Sequence, residues 1–229
     1  MRGIDLSHHN GDVDMQCVKD AGYDFVILRA GYGRYAKQKD AKFEQNYLNA
    51  KRCGLHIGIY WYSYATNAAE ALEEAKACCE IIGNKIFDMP VFIDVEEQKT
   101  LDKAVEVVDS FCAYMMGQGF FPGVYSSSSM FNSYMPGITN RYCGWVADWR
   151  TEERFKKDFT DSYIFWQKTD KGRVTGVNGY VDLDECYNDN LPIYITSQGY
   201  NNYPKDEPSK DEHVIEVFID GKSVFKKNF

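Results

Sequence analysis

Short apolar runs recur along the chain, and each of them ends in polar or aromatic residues. The runs occupy 3–9, 25–33, 57–65, 90–97, 122–128, 143–149, 162–169 and 180–185. Apolar positions return at helical spacing between the early runs, over 14–21, 42–53, 68–82 and 101–116. Because strands that alternate with helices pair in parallel through right-handed crossovers, this pattern predicts an α/β fold.

The number of runs favours a closed sheet. Eight strands within about 185 residues are typical of a TIM-like (β/α) barrel, although such barrels usually need ~250 residues. The missing length falls late in the chain, because 150–161 offers one short helix at most and 170–179 reads as a turn. We therefore predict a shortened (β/α) barrel with reduced last helices and antiparallel strands at its end.

The last part of the chain differs in composition from the barrel segment, which we place at 1–198. Residues 199–212 are polar, contain two prolines and show no periodicity, as is typical of a linker. Residues 213–229 alternate apolar and polar positions around Asp220 and Gly221, which predicts a small C-terminal β-hairpin. A lone hairpin is marginal in water, so it would dock on the barrel, pair with a second chain or begin a larger module. We favour self-association.

Composition excludes several classes of function. The 229 residues carry a formal net charge of −8 and show no basic stripe, which argues against a nucleic-acid partner. No stretch approaches the ~20 apolar residues of a membrane span, so membrane insertion is not expected. The seven cysteines are an odd number without zinc-type pairs, and we interpret them as free thiols.

Barrels of this kind carry their chemistry at the carboxyl ends of the strands. Asp94 and Glu96 close the run PVFIDVEE, and strand alternation places them on one face. Acids from separate strands would meet aromatic rings at one mouth, an arrangement that suits a sugar polymer because rings stack on pyranoses and paired carboxylates hydrolyse glycosides. The candidate side chains are Asp5, Arg29, Tyr60, Tyr62, Asp94, Glu96, Tyr125, Trp166 and Asp182.

Five motifs in register resemble the Chalaropsis-type lysozymes, glycoside hydrolase family 25. They are GIDLSHHNG, YDFVILRAGYG, GIYWYSYA, FIDVEE and VDLDE, and the match covers roughly residues 2–187. The resemblance implies a shortened barrel that cleaves the β-1,4 bond between N-acetylmuramic acid and N-acetylglucosamine in bacterial peptidoglycan. It places the family's acids on Asp5, Asp94, Glu96 and Asp182.

Glu96 matches the family's proton donor, whereas the roles of the other acids stay open. Asp94, Asp5 or Asp182 could be a nucleophile, or they could orient the substrate's own 2-acetamido oxygen as it attacks. We favour the second mechanism, with Asp94 and Asp182 in support and Asp5 holding hydrogen bonds together. For sugar contacts we favour Tyr62, Tyr125 and Trp166, followed by Arg29 and Tyr60.

Two further patterns are interpreted as non-catalytic. His8 and His9 lie beside Asp5, but adjacent histidines in a strand would point to opposite faces, and the spacing of a hydrolytic zinc site is missing. No metal and no cofactor are therefore expected. The serines at 126–129 lack the surroundings of a nucleophile elbow and predict a loop.

Three functions follow from this interpretation. The first is a muramidase of the phage-lysin or autolysin type. Since the N-terminus lacks the apolar run of a Sec signal peptide, we expect it to be made in the cytoplasm and to act on the wall after release. The second is a non-catalytic barrel that binds cell-wall glycan. The third is a glycosidase for another amino-sugar polymer such as chitin.

Overall fold

The computed structural model describes residues 1–204 and the two strands at 214–219 and 222–228. Eight strands of the first part close into a barrel in chain order. They are β1 Arg2–Leu6, β2 Phe25–Tyr32, β3 His56–Tyr62, β4 Val91–Asp94, β5 Pro122–Ser127, β6 Cys143–Ala147, β7 Phe165–Gly172 and β8 Val181–Cys186. The predicted α/β barrel is confirmed.

The barrel mixes two strand directions. Strands β1 to β7 pair in parallel, whereas β8 runs antiparallel to both of its neighbours, β7 and β1. The closing seam pairs Asp5 with Asp182 and Gly3 with Asp184. The antiparallel end of the sheet was predicted, and it brings acids of the first and last strands side by side.

The helices follow the predicted order with three differences. They are α1 Met15–Asp20, α2 Phe43–Arg52, α3 Ala68–Ile82, α4 Gln98–Leu101, α5 Ala104–Gly117, α6 Ser128–Tyr134, α7 Glu152–Asp158 and α8 Leu191–Ser197. Where one helix was predicted from Leu101 to Met116, α4 ends at Leu101 and α5 begins at Ala104. The serine run is not a loop: its first two residues end β5 and its last two begin α6. Ser127 caps α6 by accepting a hydrogen bond from the Met130 backbone N–H. Helix α8 was not predicted.

Two apolar layers cover the barrel wall, one on its inner face and one on its outer face. One fills the barrel interior with Phe25, Phe92, Trp145 and Phe165. The other lies between the wall and the helices and contains Trp61, among many aliphatic side chains. Successive residues of a strand alternate between the two layers, so a shift of one position decides whether a side chain faces the barrel axis or the helices.

The first residues of the predicted linker pack against the barrel. Asn201 is fully buried; its side-chain amide donates to the Met89 carbonyl at 2.8 Å and accepts from the Phe121 backbone N–H at 2.8 Å. These contacts extend the packed unit beyond residue 198. Residues 205–212 lie outside the described residues, and the division into barrel, linker and hairpin stays a prediction.

The two strands near the end of the chain, β9 Val214–Ile219 and β10 Lys222–Asn228, pair antiparallel. The turn predicted at Asp220 and Gly221 lies outside the described residues, and self-association through this segment stays a prediction. In the part of the chain that the structure describes, none of the helices has the length and apolar character needed to cross a membrane.

Candidate active site

A cavity of about 340 Å³ opens at the carboxyl ends of the parallel strands and gathers all four predicted acids. It also takes in four of the five predicted sugar-contact residues. Its wall contains Asp5, Ser7, His9, Asn10, Arg29, Tyr60, Tyr62, Asp94, Glu96, Tyr125, Trp145, Trp149, Gln167, Asp170 and Asp182. Acids from β1, β4 and β8 thus converge with aromatic rings in one place.

The end of β4 supplies two of the acids. Asp94 is the last residue of the strand and lies between Tyr62 of β3 and Tyr125 of β5. It is 3% exposed, and its Oδ1 has no hydrogen-bond partner among the described residues. Burial, followed by the charge of Glu96, raises its pKa well above the usual range.

Glu96 follows two residues later and is half-buried. Burial raises its pKa, and the charges of Asp182 and Glu97 add to the effect. A carboxyl group in this position keeps its proton to a higher pH than a free glutamic acid does.

The seam between β1 and β8 supplies the other two acids. Asp5 and Asp182 are direct cross-strand neighbours. Burial, followed by the charges of Asp184 and Asp182, raises the pKa of Asp5 well above its ordinary value. Burial and the nearby Asp170 raise the pKa of Asp182 to about 6. The four acids cannot all ionise independently near neutral pH.

Gln167 connects several cavity residues. Its Nε2 donates to Asp5 Oδ2 at 2.8 Å, and its Oε1 accepts from the Tyr125 hydroxyl at 2.9 Å and from Trp149 Nε1 at 3.3 Å. The glutamine is 3% exposed. It fixes the orientation of one acid and two aromatic rings, a role that the sequence analysis did not assign to it.

The aromatic rings divide into a floor and a rim. Tyr60 and Tyr125 are buried and pack on Trp145, with ring centroids at 6.1 and 4.3 Å. Tyr62 stands higher in the cavity and donates its hydroxyl to Glu97 Oε1 at 3.0 Å. Trp149, 58% exposed, completes the rim. Tyr62 and Trp149 are therefore the rings that a bound sugar could reach most directly.

Trp166 does not line the cavity, contrary to the prediction. It is 5% exposed, stacks on Phe155 of α7 with centroids 5.3 Å apart, and donates Nε1 to the Asp148 carbonyl at 2.8 Å. Strand alternation explains the error, because Gln167 occupies the inward position of β7 and Trp166 faces the helices. Trp149, just beyond β6, was missed as a site residue; its place after the strand end was the available signal.

Arg29 reaches the cavity from β2, and the buried carboxylate of Asp40 fixes its guanidinium group. Its Nε donates to Asp40 Oδ2 at 2.8 Å, and the same oxygen accepts from the His8 backbone N–H at 3.0 Å. The positive charge of Arg29 lowers the pKa of Asp94, opposing the larger effect of burial. His8 and His9 lie in a 3-10 turn, not in a strand as assumed, and their rings are 3.9 Å apart.

The central cavity continues on both sides. A hollow of about 390 Å³ shares Arg29 and Tyr62 with it, and another of about 470 Å³ shares Glu96 and Trp149. The acids thus lie in the middle of a groove, as a site for an extended polymer requires.

Comparisons with known proteins find lysozymes and autolysins among the relatives of this chain. The chain is 29% identical over 187 residues to the autolytic lysozyme of Clostridium acetobutylicum, a match that covers 81% of this chain and 55% of that protein. The modular autolysin LytC of Streptococcus pneumoniae, solved with a synthetic peptidoglycan ligand, is 26% identical with a TM-score of 0.70, over 80% of this chain and 46% of that one.

A bacterial lysozyme from Streptomyces coelicolor shows the same fold, with a TM-score of 0.72 and 24% identity over 88% of this chain and 97% of that one. The chain spans about half the length of the Clostridium and Streptococcus relatives. Residues 4–177 match the sequence model of glycosyl hydrolases family 25, three quarters of the chain, while Asp182 lies just beyond the matched segment. The chain belongs to glycosyl hydrolases family 25.

Proposed function

We propose that the chain is a muramidase that hydrolyses β-1,4 bonds between N-acetylmuramic acid and N-acetylglucosamine in peptidoglycan. The observation that carries the proposal is the convergence of four acids from three strands in one cavity, at the middle of an aromatic-rimmed groove. Family membership and the lysozyme and autolysin relatives support it. A glycan-binding module would have no use for carboxyl groups crowded enough to raise one another's pKa.

Glu96 is the proposed general acid. It is the least buried of the acids at the end of β4, so it can reach a glycosidic oxygen, and its pKa is raised by burial and by two acidic neighbours. A raised pKa leaves more of this carboxyl group protonated at a given pH, and the proton can go to the leaving-group oxygen as the bond breaks.

Asp94 and Asp182 are proposed to support attack by the substrate's own 2-acetamido oxygen. In that step the acetamido carbonyl oxygen bonds to the anomeric carbon, the glycosidic bond breaks, and the Glu96 proton goes to the leaving oxygen. Water then opens the cyclic intermediate and returns a proton to Glu96. Asp94 lines the cavity next to Glu96, where its carboxyl group would accept the acetamido N–H.

The rings of Tyr62 and Trp149 are proposed to hold sugars on either side of the acids. Tyr62 borders the hollow that contains Arg29, and Trp149 borders the hollow that contains Glu96. Stacking on pyranose faces would supply apolar contact, while Tyr125 and Gln167 below them keep the acids in place.

The substrate is tested by product analysis. The chain is incubated with purified, peptide-free peptidoglycan glycan strands and, in parallel, with chitin oligomers, and the released ends are identified by mass spectrometry after borohydride reduction. A muramidase leaves N-acetylmuramic acid at the new reducing ends and acts far more slowly on chitin. Reduced N-acetylglucosamine at the new ends, equal cleavage of chitin, or binding without cleavage would each overturn the proposal.

The mechanism is tested separately. A direct nucleophile at Asp94 would form a glycosyl-enzyme that rapid quenching and mass spectrometry detect on the peptide containing residue 94. We expect no such adduct, and a thioacetamido analogue of the substrate should slow or inhibit the reaction. A covalent sugar on Asp94 would refute the substrate-assisted mechanism while leaving the muramidase assignment intact.

A further inference from the structure

Below the four acids of the cavity lies a fifth carboxyl group, Asp184, which the proposed mechanism does not use. It occupies the inward face of β8 one pleat away from Asp182, opposite Gly3 of β1 and Gln167 of β7. It is 1% exposed and does not line the cavity. Substrate therefore has no direct access to it.

The contacts of Asp184 leave one oxygen for a second acid. Trp145 Nε1 donates to Oδ1 at 2.9 Å, whereas Oδ2 is buried and accepts from no donor of the described chain. Asp5 is the neighbouring acid across the β1–β8 seam, because Asp184 pairs with Gly3, which has no side chain, and Asp5 lies two residues further along β1 on the same face. Asp5 is itself fixed from the other side by Gln167 Nε2 at 2.8 Å.

A hydrogen bond between two carboxyl groups requires a proton on one of them, because two carboxylates have only acceptors. Both groups are buried, so loss of that proton would place two adjacent negative charges in a region of low polarity.

We propose that Asp184 is a positioning residue that shares one retained proton with Asp5 and thereby holds Asp5 in place in the cavity wall. Asp184 touches no substrate atom in this scheme. It acts through Asp5, which in turn borders Asp182 across the β1–β8 seam. The inference rests on the proposed hydrolase function for its catalytic readout, but the shared proton itself can be detected without substrate.

The charges around the pair favour retention of the proton. Asp182 of β8 raises the pKa of both groups, and Asp94 of β4 raises that of Asp5. Lys168 of β7 and the Trp145 hydrogen bond act in the opposite direction on Asp184. Burial dominates, and the pKa of Asp184 is raised to about 8. The pair is expected to lose its proton on the alkaline side of neutrality.

The decisive variant is Asp184→Asn. Because Trp145 needs an acceptor, the new side-chain oxygen takes the place of Oδ1 and the new NH₂ group takes the place of Oδ2. The amide then donates to Asp5 at every pH and reproduces the protonated state permanently. Asp184→Leu is the matched control, since it has similar volume but offers neither the donor to Asp5 nor the acceptor to Trp145.

The first readout is kcat/KM on soluble glycan fragments from pH 6 to pH 9.5. Ionisation of Glu96 affects wild type and variant alike, so the ratio of Asp184→Asn to wild type isolates the shared proton. Burial raises the pKa of both groups, so the protonated fraction of the pair falls on the alkaline side of neutrality, and the ratio should rise several-fold towards pH 9.5. Asp184→Leu should be slow throughout, without such a rise.

The second readout needs no activity. In protein labelled with ¹³C at aspartate carboxyls, NMR should show a carboxyl signal that titrates above pH 7 in wild type and is absent in Asp184→Asn. Trp145→Phe removes the N–H that stabilises the ionised form of Asp184, so it should move this titration to higher pH. This variant is the alternative test if Asp184→Asn does not fold.

A constant activity ratio across the pH range, or carboxyl signals that all titrate below pH 6, would overturn the proposal. The same pH dependence of kcat/KM in Asp184→Asn and Asp184→Leu would also overturn the proposal. Lack of hydrolysis by wild type would instead refute the proposed function, while the NMR titration would still decide whether the proton is shared.

Discussion

Replacing Glu74 by glutamine should stabilise the protein, and the gain should depend on pH. Glu74 lies on α3 and is fully buried beside the end of β3. Its Oε2 accepts from the Ser63 hydroxyl at 2.6 Å and its Oε1 from the Tyr64 backbone N–H at 2.8 Å. It therefore holds the turn that carries Tyr64, a ring of the hollow beside the acids.

The magnitude follows from the pKa of this group. Burial raises the pKa of Glu74 from 4.5 to about 7, although both hydrogen bonds oppose the increase. The native state therefore prefers the neutral acid, so the stabilisation is fully present below pH 4.5 and is lost as pH rises through 7. The loss amounts to about 3 kcal/mol of unfolding free energy at most.

Glutamine keeps the size of the neutral acid and cannot ionise. Its Oε1 accepts from Tyr64, and its Nε2 donates to Ser63 Oγ. At pH 4 the variant and wild type should have similar unfolding free energies. At pH 8 the variant should be more stable, by about 1–3 kcal/mol when relaxation around the charge is allowed for.

Urea unfolding at pH 4, 6 and 8 measures the difference. Glu70→Gln is the matched control on the same helix, because hydrogen bonds from Thr66 lower the pKa of Glu70, and its replacement should bring no gain at pH 8. A Glu74→Gln variant that loses stability at pH 8 would show that the Ser63 and Tyr64 donors favour the ionised carboxylate over the buried neutral acid.

Four further predictions each concern one part of the molecule. Trp166→Ala should lower the unfolding free energy by about 3–5 kcal/mol because it empties a packed site, and calorimetry that found no loss would contradict its buried position. Trp149→Ala should leave stability within about 0.5 kcal/mol but raise KM on glycan fragments several-fold, and an unchanged KM would remove this ring from the binding groove. Removal of residues 205–229 should leave hydrolysis of soluble fragments within a few-fold of the full chain. Asn201→Ala should lower the unfolding free energy, measured by urea unfolding, by about 1–3 kcal/mol because it leaves buried backbone groups unpaired.

The strands and the acids could be predicted from sequence because both depend on local pattern. Apolar runs marked the eight strands, and strand ends marked the place where Asp5, Asp94 and Glu96 meet. The antiparallel last strand followed from the lack of a helix between 170 and 179. These features need only periodicity and the rule that barrel chemistry lies at carboxyl ends of strands.

The errors arise where one residue of register or a distant partner decides the outcome. Trp166 and Gln167 are adjacent, and only the barrel as folded shows which one faces inward. The last two serines of the run begin a helix that the Ser127 side chain caps. In sequence, a serine is equally typical of a turn and of a helix start. Asn201 is fixed by partners 80 and 112 residues earlier in the chain, which no local pattern reveals.

The Glu96→Gln variant tests the assignment of the general acid most directly. Glutamine keeps the shape of the side chain and removes the transferable proton, so reducing-end release from peptidoglycan should fall by ~10²–10⁴-fold while glycan binding is largely kept. Glu97→Gln is the neighbouring control, because its amide oxygen can still accept the Tyr62 hydroxyl, and it should stay within about tenfold of wild type. Near wild-type turnover in Glu96→Gln, or a larger loss in Glu97→Gln, would contradict the assignment of Glu96 as the proton donor.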